Sequence, residues 1–166
     1  MKKFICFLSA FLCVFILVSC SSKNTSTREI FDRIYEALSP VPDGEIYFSK
    51  SDEGTRHHMS SALFSTVYGN GTFIDGSDII EEYTVYLSSF ALPFEIAVFK
   101  CYSPSDTVKI EQMCIGRLDF LRKHFKNTEH ENAIDKASVI SDGKYVIMII
   151  CQSDADLFEI SKSALN

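Results

Sequence analysis

The chain has 166 residues, with 16 basic and 22 acidic side chains, a formal net charge of −6 and an apolar share of 46%. An acidic balance argues against nucleic acid and against electrostatic adhesion to anionic lipid, both of which call for basic patches. The 14 Phe and 7 Tyr, with apolar residues spread along the chain, exclude a disordered stalk.

The N-terminus has a character of its own. Met1-Lys2-Lys3 is a short positive segment, and residues 4–18 (FICFLSAFLCVFILV) carry no charge. That run falls short of the roughly 20 residues that cross a hydrocarbon core and has the proportions of a signal-peptide apolar region. It ends on Leu17-Val18-Ser19-Cys20, followed at once by Ser21-Ser22. An aliphatic residue, a branched one, a small one and a cysteine resemble the bacterial lipobox. Small residues before the cysteine admit the backbone to a peptidase site. In this reading residues 1–19 are a lipoprotein signal peptide, cut between Ser19 and Cys20. The thiol of Cys20 takes a diacylglyceryl group, its freed amine takes a further acyl chain such as palmitate, and the lipid bilayer becomes the first partner. Two or three chains anchor stably, at about 0.8 kcal/mol per buried methylene, where one binds only marginally. The bland alternative is an uncleaved anchor with an incidental cysteine, and the shortness of the run weighs against it. No twin-arginine pair precedes the run, so the general secretory route is expected.

Removing residues 1–19, which hold two lysines and no acid, moves the net charge to −8 and leaves about 147 residues, enough for one domain with a real core. Of the six cysteines, Cys101, Cys114 and Cys151 then remain beside the lipid site. Three is no disulfide framework. Either Cys101 and Cys151 are bridged on neighbouring strands, or all three are buried small apolar residues, the usual state of free cysteine.

Residues 20–28 read as the lipidated cysteine and a flexible tether, and residues 29–166 as a single α+β domain. A tether of eight residues spans at most about 25–30 Å, so the domain sits close over the membrane. Ser26-x-x-Glu29 fits a capping box, and Ile30, Phe31, Ile34, Tyr35 and Leu38 make one apolar stripe at helical spacing. Ser39-Pro40 ends that helix and Pro42-Asp43-Gly44 is a turn. Residues 45–49 form a short extended segment. A second helix is expected over 52–68, with Met59, Leu63, Phe64 and Val67 on one side and Gly69 as its stop.

Residues 82–87 and 95–100 then read as a hairpin. Ser103-Pro104 opens a long helix to residue 125 with Ile110, Met113, Cys114, Leu118, Leu121 and Phe125 inward. Residues 124–132 (HFKNTEHEN) read as a polar loop. A second hairpin follows, 136–141 and 144–151 across Asp142-Gly143, a strong signal for a two-residue turn. Its last strand, YVIMIIC, is apolar on both faces and so central and covered. A closing helix over 154–164, capped by Ser153 or Asp154, completes the chain. The expected fold is α+β: a four-stranded antiparallel sheet of two hairpins, each followed by a helix, with one or two additional N-terminal helices and the helices mainly on one face.

VYGNG followed by EEYTVYLSS, then EIAVFK, the long helix and GKYVIMIIC before a final helix resemble a family of small bacterial lipoproteins, the domain of unknown function 4358 type. The resemblance covers roughly residues 30–160, most strongly 81–100 and 133–151. It rests on core pattern, with Tyr68-Gly69 matching a Tyr-Gly of the family before a loop that is longer here. It implies a lipoprotein with an α+β domain and carries over no catalytic residue.

The residues themselves give little chemistry. His57, His58, His124 and His130 lack the i, i+4 spacing of zinc helices and have no CxxC beside them, which leaves no metal site to assign. Asp75, Asp78, Glu81 and Glu82 form the sharpest acidic cluster and the weak calcium candidates, though the spacing misses an EF-hand loop and Asp78 is more simply a turn or cap residue. Glu95 and Lys100, five apart on one strand, fall on opposite faces. No GxSxG elbow, no cysteine beside a histidine and no phosphate loop appears, so no catalytic residue and no cofactor is expected. If helices cover one sheet face, Thr84, Tyr86, Ala97 and Phe99 form an apolar patch on the other; the favoured alternative is that the first helix or a neighbouring chain covers it, since large exposed patches are uncommon on monomers.

Three functions fit this pattern. The first is a membrane-anchored extracytoplasmic binding or accessory module contacting another envelope protein or a small ligand. The second is an extracytoplasmic enzyme with a site not recognisable from sequence. The third is a homo-oligomeric structural envelope protein. Dispersed polar residues and a pattern devoted to a core favour the first.

Overall fold

Residues 24–49, 56–69, 78–89 and 91–166 are described by a computed structural model. Five strands make one antiparallel sheet: β1 (Gly44–Phe48), β2 (Ile80–Ser88), β3 (Glu95–Cys101), β4 (Ser138–Asp142) and β5 (Tyr145–Ile150), in the order β1-β2-β3-β5-β4. The expected four strands are therefore five. The segment read only as extended, 45–49, pairs with β2 through registers such as Ile46↔Tyr86 and becomes an edge strand. Five helices accompany the sheet among the described residues: α1 (Thr27–Leu38), α2 (Ser61–Tyr68), α3 (Thr107–His124), α4 (Glu131–Asp135) and α5 (Leu157–Leu165). Each of the two expected hairpins is followed by a helix, and the fold is α+β.

The helices do not share one face. Ile30, Phe31 and Ile34 of α1 and Leu157 and Ala164 of α5 pack on Tyr86, Ile96, Val98, Ile147 and Ile149. Phe64, Val67 and Tyr68 of α2 and Ile110, Cys114 and Leu118 of α3 pack on Val85, Ala97, Phe99, Val146 and Met148. The result is three layers, required because β3 and β5 are apolar on both sides. Every residue of β3 is buried.

Register also corrects the apolar patch. Thr84 faces Val98 and Tyr86 faces Ile96 across the ladder, whereas Ala97 faces Val85 and Phe99 faces Tyr83. Directly opposed residues share a face, so Thr84 and Tyr86 lie on one side and Ala97 and Phe99 on the other. Both pairs are covered. The Tyr86 ring meets Tyr35 of α1 edge-on at 5.7 Å, and Thr84 Oγ1 hydrogen-bonds Thr27 Oγ1 at 2.9 Å.

Local signals account for most boundaries. Ser26 caps α1 by accepting from the Glu29 N–H, as its capping-box spacing predicts. Tyr145 Oη donates to the Thr25 carbonyl at 2.6 Å, so the chain is already held at Thr25, and Thr27 and Arg28 belong to the helix rather than to a tether. The second helix begins at Ser61, not 52: Ser60 caps it by accepting from Leu63 N, residues 56–60 are turn and coil, and 52–55 lie outside the described residues. The final helix begins at Leu157, because Asp156 rather than Ser153 or Asp154 accepts from the first free N–H groups, those of Phe158 and Glu159. His124 ends α3, residues 125–130 are turn and bend as the polar-loop reading expects, and α4 takes only the last two residues of that stretch, Glu131 and Asn132. In the second hairpin Gly143 and Lys144 are the central residues, one position on from the expected pair, and Gly143 takes φ +58° where a primed turn asks for glycine.

The two outer layers predict unequal sensitivities. Ile34→Ala, from a fully buried position, should lower the unfolding free energy by about 2–5 kcal/mol. Ile115→Ala on the open side of α3 should change it by less than about 0.5 kcal/mol. Urea denaturation separates the two, and near-equal losses would contradict α1 as a core layer.

Candidate functional site

A concavity of about 620 Å³ lies between α2, α3 and the β1–β2–β3 end of the sheet. Leu63 and Val67 of α2, Leu87 of β2, and Leu121 with Phe125 at the end of α3 supply its apolar walls. Pro93 and Phe94 of the β2–β3 loop close one end, and Phe120, half exposed, forms part of the rim. Gly44 allows β1 to start here: a Cβ at this position would stand 2.4 Å from the Leu87 carbonyl oxygen and 2.7 Å from the Tyr86 ring.

Among the charged residues that line the groove, Glu95 is the buried one. Glu95 opens β3 and is 2% exposed. Its Oε1 accepts from Tyr68 Oη at 2.7 Å and its Oε2 from Arg117 Nε at 3.1 Å, while the guanidinium lies 6.0 Å from the Phe120 ring centre. Both carboxylate oxygens are thus engaged. Burial, and after it the Glu95 charge, pushes the Tyr68 phenol well above its ordinary range. Cys114 is buried nearby, and burial pushes its thiol up. It is held as a thiol, not the reactive thiolate. A carboxylate engaged on both oxygens beside a protonated thiol is not the pairing of a nucleophile with its base. At the rim Arg56 pairs with Glu45 at 2.9 Å, an exposed contact of little weight.

Arg117 carries no signal of its own in the sequence, yet it sits at helical spacing from Ile110, Cys114 and Leu121. A charged residue on an apolar stripe requires a buried counter-charge, and Glu95 beside the YVIMIIC-paired strand was the available acid.

The other sequence candidates do not converge. Lys100 bonds Glu81 Oε1 at 2.7 Å on the face opposite Glu95, as a spacing of five requires. Burial works against the Lys100 charge, but the hydrogen bond and charge of Glu81 outweigh it and raise its pKa. The β2–β3 register shifts between Ile80 and Glu82, and Glu81, left out of the ladder, turns to Lys100. Of the calcium candidates, Glu81 is thus an ion-pair partner, Glu82 is buried opposite Lys100, Asp78 is exposed, and Asp75 lies outside the described residues. Among the described residues no three His, Cys, Asp or Glu side chains gather where a metal would sit. The histidines are dispersed: His57 stacks on Phe48, His58 buries an Nδ1 without a hydrogen-bond partner, His124 stacks on Phe120 and His130 bonds Gln152. Ser19 and Cys20 lie outside the described residues.

Cys101, Cys114 and Cys151 are free and buried. β3 and β5 do lie side by side, but antiparallel: Cys101 follows the Lys100↔Tyr145 end of their ladder and Cys151 the Glu95↔Ile150 end. A disulfide needs Cα atoms within about 7 Å, so these two cannot be bridged in this fold.

Among the described residues no helix is long and apolar enough to cross a membrane. The comparisons give no relative: no family model, no curated protein and no solved structure matches the chain.

Two predictions follow from this chemistry. Glu95→Leu leaves Arg117 uncompensated and should cost about 3–5 kcal/mol of stability, while the double variant Glu95→Leu/Arg117→Met recovers most of it. A double variant no more stable in urea than the single one would contradict the pairing. The second concerns alkaline pH. Burial raises the thiols of Cys101 (to about 11), Cys114 and Cys151, and the Tyr68 phenol, so each stays protonated in the fold and ionises on unfolding. The unfolded state therefore binds fewer protons above about pH 9, and stability falls as pH rises. Lys100 acts in the same direction, since the stability from its raised pKa is lost as pH passes through that value. The urea midpoint should drop steadily from about pH 9 to 10.5 and less steeply in Cys114→Ala; a midpoint unchanged over that window would refute the assignment.

Proposed function

We propose that the protein is a membrane-anchored extracytoplasmic lipoprotein, of the domain of unknown function 4358 type, whose folded part serves as a binding module of the bacterial cell envelope. The observation that carries the binding role is the largely apolar groove of about 620 Å³ lined by the Glu95–Arg117 ion pair. It has the size of a ligand site and the usual make-up of one, mostly apolar with few placed polar groups.

The anchor rests on the lipobox and on geometry that agrees with it. The chain is held from Thr25, and the five residues from Cys20 to Asn24 span at most roughly 17 Å. Thr25 is bound to Tyr145, at the end of the sheet where β5 begins and β3 finishes. The groove lies at the other end, where β3 begins and β2 finishes. A strand of seven residues separates the ends by roughly 20 Å. A domain tethered at one end presents its groove at the other, away from the bilayer.

Palmitate labelling, membrane fractionation and crosslinking in the native cell test this reading together. Wild type should incorporate palmitate and sediment with membranes, Cys20→Ala should do neither, and a crosslinked envelope partner should disappear with the anchor. Palmitate on Cys20→Ala, or a mature chain still beginning at Met1, would overturn the anchor. Recovery of self-crosslinks alone would replace the binding module by a homo-oligomer.

A further inference from the structure

The groove holds hydrogen-bond donors that the fold does not use. A guanidinium has five N–H donors. Arg117 spends its Nε on Glu95, and neither terminal amino group has a hydrogen-bond partner among the described residues, although the side chain is only 12% exposed. Those groups are not sealed in: His58 Nδ1 is the buried side-chain atom left without a partner among the described residues. The open space that Arg117 lines is the groove. Two N–H groups at the edge of a planar fork match the lone pairs of a carbonyl or carboxylate oxygen pair. The walls beside them, Leu63, Val67, Leu87, Leu121 and Phe125, are apolar, while Asp43, Glu45, Arg56 and His124 complete the lining.

We infer that the groove takes a single-chain acyl compound, its hydrocarbon tail along α2 and the end of α3 and its carbonyl oxygen on the terminal amino groups of Arg117. Glu95 neutralises the guanidinium, so the head is selected by hydrogen bonding as much as by charge, and an ester or a free carboxylate satisfies the same donors. This class is more specific than the binding role and rests on it. Both Glu95 oxygens are already filled, so the carboxylate holds Arg117 still instead of competing for the ligand. A preplaced donor costs less to engage than one that must be ordered on binding.

Photoaffinity labelling of the full chain in lipid nanodiscs tests the inference, since mapped adducts separate groove binding from partition into the bilayer. Three probes bear the same diazirine on a twelve-carbon chain: dodecanoate, its ethyl ester and the dodecane without a carbonyl. Adducts should map to the segments carrying Leu63, Val67 and Leu121 for both carbonyl probes, at least tenfold above the hydrocarbon, with excess unlabelled dodecanoate competing. The ratio of ester to free acid identifies the head. Arg117→Gln should remove that preference. Val67→Trp fills the groove without touching the ion pair, so it should abolish labelling even if Arg117→Gln fails to fold. Equal labelling by all three probes, unchanged in Arg117→Gln, would overturn the acyl-carbonyl inference and leave a binding groove. No adduct in the groove from any probe would overturn both the inference and the groove as a small-ligand site.

Discussion

A strand buried on both faces along its whole length is the constraint on which this molecule is built. β3 is such a strand, yet its sequence, EIAVFKC, contains a glutamate and a lysine. An unpaired charge in that position is too costly to keep, and each must find a partner. Because Glu95 and Lys100 point in opposite directions, they organise opposite sides of the sheet. Glu95 ties α2 and α3 down through Tyr68 and Arg117, while Lys100 draws Glu81 out of the β2 ladder. Apolar packing supplies the driving force for the three layers. These two charges decide which register and which helix rotation are allowed.

That division explains what the sequence made legible. Helical stripes, strand alternation and caps are local, and they located both hairpins, the long helix and the capping box at Ser26 from residues alone. The number of layers is not local. YVIMIIC announced a strand covered on both sides, and two covering layers follow from it, but the pairing of Thr84 with Val98 rather than with Ala97 emerges only once the ladder is set. β1 was faint for a related reason. An edge strand with four half-buried residues needs little apolar alternation, and its pairing with β2 is chosen by the turn at Asp43 and by the space Gly44 leaves.

The candidate site was half legible. Glu95 stood out as an acid in an apolar strand, and its separation from Lys100 was readable from spacing. Arg117 was hidden inside a helix whose charged residues otherwise face solvent, and its role depends on α3 lying across the start of β3, some twenty residues away in sequence. Buried pairs of this kind are invisible to motif reading because neither member has a fixed neighbour in sequence. A charge on an apolar stripe is the general sign that such a partner exists.

The groove itself is the place where the fold stops short of closing. α2 is two turns long, α3 runs past it, and Leu63, Val67 and Leu121, packed into the core on one side, line the groove with Pro93 and Phe94 of the β2–β3 loop. Filling that space with larger side chains would add apolar burial at about 25 cal/mol per Å², a gain that ordinary core packing collects wherever it is accessible. Leaving it open costs stability. On the binding role proposed above that cost has a return: the Glu95–Arg117 pair is held together within the fold, so a ligand would meet placed donors and apolar walls without displacing that ion pair.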